Sequence, residues 1–464
     1  MKTSIFIKLF YAFSISIFFI SCEDFVEIDT PSHRIVGDAV FNDEESAQSV
    51  IQGIYNQLIR TDYSDGGVNS VTTLAGLSAD NIGLLRETDL TFLEFDQHEI
   101  LPDNNRNFAI WSSSYNVIYM ANSIIEGLID SELEMGVRNT LEGEAKFIRA
   151  FTYFYLTNLY NDIPLLLTTD YIENSIAPRN SQAEIYQQII VDLEEAIELL
   201  PLEYRNGERI NANRFTALAL LARVHLYEGN WSQAEALSSE IISQTGQYEI
   251  LDSLDQVFLP NSKEALWQIS PIGRGNSLTH TYEGSNFILN PGNPASLYFK
   301  LDESLIALFE PEDLRYSAWI GYHEEMNIHY PFKYKDRYSI DNITEYSMVM
   351  RLAEQYLIRA EARAMQDDLI GASSDINFLR MRAGIDQLTE EDSLDQETIL
   401  EIIMEERRKE LFSEWGHRWF DLKRTGKTTE VLSSNPLWNA TDEWYPIPEQ
   451  ERIKNTNLTQ NPGY

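Results

Sequence analysis

Two stretches of the chain share one layout: a small residue in each of two helical segments, with a short polar turn between them. In the first, Leu221-Ala222 leads to Tyr227-Glu228-Gly229-Asn230-Trp231 and then Ala234. In the second, Arg359-Ala360 leads to Met365-Gln366-Asp367-Asp368-Leu369 and then Ala372. Twelve residues separate the two alanines in both copies. Small side chains at matched depth let two antiparallel helices approach closely, so the spacing predicts helical hairpins. The fold is therefore expected to be mainly α.

The layout resembles the tetratricopeptide hairpin, although the full 34-residue signature is incomplete. An antiparallel pair with alanine at the crossing is the simpler alternative. The copies lie 138 residues apart, so they do not form a simple tandem array. Apolar residues at 3–4 spacing predict further helices from near Asn42, over 106–130 and 137–160, and over 181–200, with hairpins at 212–228/231–243 and helices at 346–366, 369–382 and 395–415. Between about 260 and 345 the periodicity vanishes and Pro, Gly, Asn, Tyr and Trp dominate, which predicts an irregular, partly β, loop-rich half.

The chain opens on Lys2 and Lys8 and an apolar run from Leu9 to Ile20 that Ser14 and Ser16 interrupt. A spanning helix needs about 20 predominantly apolar residues, so this shorter run predicts a signal peptide over residues 1–21. Phe19-Ile20-Ser21-Cys22 puts a bulky residue at −3 and a small one at −1 of a cysteine, the pattern of a lipobox. Cys22 is the only cysteine, so it has no disulfide partner, and lipidation would remove a lone thiol from an exported protein. An ordinary signal peptide with a stray cysteine is the alternative. Residues 22–43, with Glu23, Asp24 and Pro31, read as an extended lipidated tether.

Thirty-five basic against 73 acidic residues give a net charge of −38. Nucleic-acid binding rests on neutralising phosphates with Lys and Arg, so that class is excluded. Docking on anionic head groups is disfavoured too, which leaves the membrane reached only through the anchor. The acidity equally serves solubility.

Enzymatic chemistry finds no support. The seven histidines include no His-Glu-x-x-His, and no nucleophile elbow, phosphate loop or dinucleotide fingerprint is present. No metal site and no cofactor are expected. Glu405, Glu406, Glu410 and Glu414 lie among Arg407, Arg408 and Lys409, a spacing typical of paired or solvated helix faces rather than of a glycosidase pair.

The loops do supply aromatic residues: Tyr63, Trp111, Tyr282, Tyr298, Trp319, Tyr322, Tyr330, Tyr334 and Tyr338. Flat rings can stack on the apolar faces of sugars while Asn, Asp and Arg bond hydroxyls; packing or protein contacts are the alternative for each ring. The candidate ligand residues on this reading are Tyr63, Asp80, Asn81, Arg86, Tyr282, Asn286, Trp319 and Tyr322.

The stretch Glu406-Arg407-Arg408-Lys409-Glu410-Leu411-Phe412-Ser413-Glu414-Trp415-Gly416-His417-Arg418-Trp419-Phe420-Asp421-Leu422-Lys423-Arg424-Thr425-Gly426-Lys427 resembles the signature of the SusD/RagB family of outer-membrane nutrient-binding lipoproteins, with Trp415 inserted between its Glu and Gly. Arg149-Ala150-Phe151 through Leu165, Tyr356-Leu357-Ile358-Arg359-Ala360-Glu361-Ala362, and the ending from Tyr445-Pro446-Ile447-Pro448 to Tyr464 are similar to further family blocks, the last suggesting a complete chain.

The resemblance implies four tetratricopeptide-like helix pairs packed against an irregular half that holds the ligand site. It implies a partner, a SusC-like TonB-dependent transporter, and a cargo of oligosaccharides or other nutrients. It also implies that Glu23 and Asp24 act as an export signal to the outer face. Ligand residues in this family vary with substrate and are not carried over. The signature residues Arg407, Arg408, Glu410, Arg418, Trp419 and Asp421 are expected to hold the last helix and its turn. The expected organisation is a leader (1–21), a tether (22–43), an N-terminal helical region (44–259), a loop-rich insertion on the ligand side (260–345) and a C-terminal region (346–464). A protein-binding tetratricopeptide scaffold and a surface glycosidase are the competing readings.

Overall fold

A computed structural model describes residues 40–389 and 395–464. The leader over 1–21, Cys22 and the tether up to residue 39 lie outside the described residues.

Helix α1 (Glu44–Leu58) starts where Asp43 accepts a hydrogen bond from the Ser46 amide, and it buries Ala47, Ile51, Ile54, Tyr55 and Leu58 on one face. The short α2 (Val71–Leu77) is buried throughout. Two long helices follow, α3 (Asn105–Leu128) and α4 (Met135–Tyr160). Every residue of α4 from Phe147 to Tyr160 is buried, which makes it the central rod of the molecule. Helix α5 (Gln182–Leu199) opens on a capping box of Ser181 and Glu184 and ends before Pro201. The first hairpin is α6 (Arg214–Tyr227) and α7 (Trp231–Ile242), turned by Gly229 at φ +72°. The second is α8 (Leu352–Met365) and α9 (Leu369–Ala383), followed by α10 (Gln396–Leu411) and α11 (His417–Arg424).

From α3 to α9 each helix packs on the next, and α10 packs on both α8 and α9. The chain leaves this array after Ile242 and re-enters at Leu352, setting α8 directly against α7. The two hairpins that are remote in sequence therefore stack side by side. Ala222, Leu226 and Ala234 of the first form one cluster with Ile358 and Ala362 of the second. No helix among the described residues is long and apolar enough to cross a membrane.

The excursion carries five strands and β1 (Ile82–Leu84) precedes α3, all in antiparallel pairs: β1 with β3 (Phe299–Leu301), β2 (Ala265–Ile269) with β6 (Ser347–Arg351), and β4 (Ile320–His323) with β5 (Ile328–Pro331). Strand β6 corrects the expectation of a helix from 346. Ser347–Arg351 is buried on both faces, and a short apolar run cannot be told from a helix segment by periodicity alone; pairing with β2 decides it. A satellite core of Phe258, Leu301, Leu305, Trp319, Tyr334, Met348 and Phe412 joins the irregular half to the helical one.

Candidate ligand site

Gly66 and Gly67 let the connection after α1 fold back over the short helix Tyr282–Phe287. A Cβ on Gly66, at φ +76°, would stand 2.1 Å from the Glu283 carboxyl carbon, so a larger residue would strain the backbone and displace that carboxyl. In the same loop Asn69 Nδ2 donates to Asp62 at 2.8 Å, and Asn69 Oδ1 accepts from Arg106 Nη1 at 2.5 Å. Arg106, in the first turn of α3, also pairs with Asp89 at 2.9 Å and lies 3.5 Å over the Phe92 ring. Phe92 touches Tyr298, and the Arg86 guanidinium lies 5.4 Å from the centre of that tyrosine ring.

On the other side of the loop, Asn286 Nδ2 donates to Thr73 Oγ1 at 3.0 Å, and Thr73 Oγ1 donates to the Gly67 carbonyl. Tyr282, one turn before Asn286, carries Arg274 at 3.6 Å over its ring. Arg274 Nη1 contacts His280 Nε2 at 3.2 Å, and the His280 ring lies 5.5 Å from that of Tyr338, which is 62% exposed. The result is one network of tyrosine rings, guanidinium groups and amides from Arg86 and Tyr298 to Tyr282 and Tyr338, in which Thr73, Arg274 and His280 are buried and Tyr338 is exposed.

Two buried groups of this network carry unspent hydrogen-bonding capacity. Arg274 Nε and Nη2 are buried without an acceptor, and Glu283 Oε2 is buried without a donor. Burial pushes the Glu283 carboxyl up to about 7, although Ser347 donates a hydrogen bond to its other oxygen. Accessible tyrosine rings beside guanidinium groups suit a ligand with flat apolar faces.

The surface gathers Arg86, Tyr282 and Asn286 from the eight candidates. Tyr63 and Trp319 are not on it. Both are fully buried, Tyr63 sharing a 2.8 Å hydrogen bond with Thr152 and Trp319 donating to the Leu254 carbonyl. A ring enclosed in the core cannot stack on a ligand, so these two are corrected to packing residues. Trp111 and Tyr334 are likewise core. Tyr322 is half exposed but sits on the β4–β5 hairpin, its ring tilted against His329 and its hydroxyl donating to Asn327 at 2.9 Å. Arg106, Arg274 and His280 were not among the candidates; Arg106 stands far from the other two in the chain, and none of them matches a motif.

The SusD family profile matches residues 311–464. A second profile, described as starch-binding associating with outer membrane, matches residues 30–226. The chain belongs to the SusD/RagB family. It is 27% identical to SusD-like protein P2 of Formosa agariphila, over 96% of this chain and 97% of that protein. A solved SusD superfamily protein from Bacteroides vulgatus has the same fold, with a TM-score of 0.80 at 20% identity over 91% of this chain and 99% of that one. A solved laminarin-binding SusD-like protein superposes with a TM-score of 0.74 at 25% identity, over 91% of this chain and all of that one.

In this SusD/RagB protein the signature block forms the internal scaffold beside the loop surface. Glu410 is fully buried and accepts from Arg315, Arg351 and Arg382. Burial alone would raise its carboxyl, but those three guanidinium groups hold it well below the usual range. Arg407 and Arg424 both pair with Asp421. Arg418 grips Asp80 with two bonds of 2.6 and 2.9 Å, and Arg408 Nε donates to Asn81 at 2.8 Å. Asp80 and Asn81 are thus corrected as well: both are engaged by arginines of the signature, which ties α10 and α11 to β1. Burial would raise the Asp80 carboxyl, yet Arg418 and Arg408 keep it below its ordinary value.

Proposed function

We propose that this chain is a surface lipoprotein, anchored through Cys22, that captures oligosaccharides or polysaccharide fragments on the Arg86–Tyr338 loop surface and delivers them to a SusC-like TonB-dependent outer-membrane transporter. The observation that carries the capture step is the half-buried Tyr282 ring, packed against Arg274, on the same network as exposed Tyr338. The starch-binding, outer-membrane description of the N-terminal profile and the laminarin-binding relative support carbohydrate as the cargo. The role is binding rather than catalysis: the carboxylates suggestive of hydrolysis, Glu406, Glu410 and Glu414, are locked in buried ion pairs. Lipidation agrees with the lipobox and with a body that lacks a spanning helix among its described residues. A glycan panel that includes laminarin and starch oligosaccharides, titrated by calorimetry, tests the reading. Saturable binding that Tyr338→Ala and Arg274→Ala together abolish is expected. Binding to none of the panel, or binding indifferent to both changes, would overturn it. Radiolabelled fatty-acid incorporation, lost in Cys22→Ser, checks the anchor.

A further inference from the structure

A cleft of about 360 Å³ lies between α3 and the connector that follows α4. Tyr115, Ile118 and Tyr119 of α3 form one wall, and Leu166, Thr168 and Tyr171 stand on the connector side. Tyr119 comes thirteen residues after Arg106 on α3, about 20 Å along the helix axis at 1.5 Å per residue. The cleft is therefore separate from the loop surface, and its reading does not rest on the one given there.

Hydrogen bonds hold the two walls at a fixed spacing. Asn122 Nδ2 donates to the Leu166 and Thr168 carbonyls at 3.0 and 3.3 Å, and its side-chain oxygen accepts from Arg149 at 2.8 Å. Tyr115 donates to the Pro164 carbonyl at 2.9 Å, and the Thr169 amide donates to Glu126 at 2.9 Å. Asn174 Nδ2 closes the connector on itself by donating to the Thr168 carbonyl at 2.8 Å. A cavity braced in this way loses little conformational freedom when a ligand enters.

The groups left over are at the lips. Tyr119 is 52% exposed and Tyr171 is 82% exposed, so both rings can be reached from solvent. Among the described residues neither ring touches another aromatic ring, neither hydroxyl has a hydrogen-bond partner, and the Asn174 side-chain oxygen accepts from no donor. The volume falls within the range of small-molecule sites, about 300–1,000 Å³.

This lining sets the chemistry of the occupant. No charged side chain lines the cleft, so nothing there favours a charged ligand. A hydrocarbon tail or an apolar peptide side chain would cover the rings, but it would displace water from the two phenol hydroxyls and the Asn174 oxygen without replacing its hydrogen bonds. A pyranose ring meets both demands. Its C–H face lies against a tyrosine ring, while its hydroxyls donate to the Asn174 oxygen and bond to the phenols.

We infer that the Tyr119–Tyr171 cleft is a second binding site, for one uncharged pyranose unit of a glycan, distinct from the loop surface. A glycan chain held there stays near the rest of the molecule, which adds retention to capture.

The test is saturation-transfer NMR of the full chain with methyl β-D-glucoside, methyl β-D-galactoside and methyl α-D-mannoside as separate probes, and with N-acetyl-leucine amide as an apolar side-chain probe. The parent is compared with Tyr338→Ala, Tyr119→Ala/Tyr171→Ala and Tyr171→Phe. Saturable binding of at least one glycoside is expected, kept in Tyr338→Ala and weakened tenfold or more in Tyr119→Ala/Tyr171→Ala. Tyr171→Phe, which keeps the ring, should weaken it less. Both tyrosines are exposed, so melting temperatures should match the parent, and lost binding then reports the site rather than the fold. No saturable glycoside binding would overturn the inference, as would binding that the double variant retains. Binding lost only in Tyr338→Ala would overturn it and leave the capture reading intact. Displacement of the glycoside by an equal or lower concentration of the leucine amide would overturn it too, because the cleft would then be a socket for a protein side chain.

Discussion

Arg223 on α6 and Glu354 on α8 form a two-pronged ion pair, at 2.7 and 2.6 Å, between residues 131 positions apart. Both side chains are 1% exposed, and Arg223 also donates to Tyr155 of α4 at 2.9 Å. One guanidinium thus joins the two hairpins to the central helix.

Removing one partner strands the other charge in the core. Glu354→Ala should destabilise the fold by about 3–5 kcal/mol, whereas the double change Arg223→Met/Glu354→Leu should cost far less, because a buried ion pair contributes little over apolar packing. Urea unfolding of the three proteins measures the difference. Equal losses in the single and double variants would contradict this account.

Glu144 gives stability a defined pH dependence. Burial raises its folded carboxyl to about 7, above the 4.5 of an exposed glutamate, with Arg205 only partly offsetting the effect. The folded state then binds more protons than the unfolded one between those values, so this contribution is intact below about pH 4.5 and is lost as pH rises toward 7. Glu144→Gln should be more stable than the parent at pH 8, by at most about 3 kcal/mol from 1.36 kcal/mol per unit. The advantage should vanish near pH 4.5. Melting temperatures across that window settle the sign.

Trp319 and Tyr338 should separate stability from binding. Trp319→Ala opens a cavity in the satellite core and should cost about 3–5 kcal/mol. Tyr338→Ala, at an exposed ring, should leave the melting temperature within a degree or two and weaken glycan binding by roughly tenfold. Paired unfolding and calorimetry experiments test both halves.

Gly416, within the signature, sits at φ +70°, and a Cβ there would come 2.7 Å from Ala75 Cβ of α2. Gly416→Ala combines left-handed backbone strain with overpacking and should destabilise by about 1–3 kcal/mol. Circular dichroism melts of the single variant and of Gly416→Ala/Ala75→Gly should show partial recovery in the second.

Helix positions were legible in the sequence to within a few residues, because caps such as Asp43 and Ser181 and the 3–4 spacing act locally. The segment Ser347–Arg351 was misread where a long-range partner, Ala265–Ile269, settles the conformation. Of the candidate site, Arg86, Tyr282 and Asn286 reach the loop surface, whereas Tyr63, Trp319, Asp80 and Asn81 serve packing and ion pairing.

By itself the sequence determined the mainly helical class and the family, since amphipathic periodicity and a contiguous signature are properties of neighbouring residues. Only the tertiary structure decided which aromatic rings face outward and which arginines find carboxylates. It set Arg106 against Asn69 and Arg274 over Tyr282, and it left Glu144 and Arg205 an unclosed pair. Burial and pairing depend on how segments distant in the chain come together, and no local pattern carries that information.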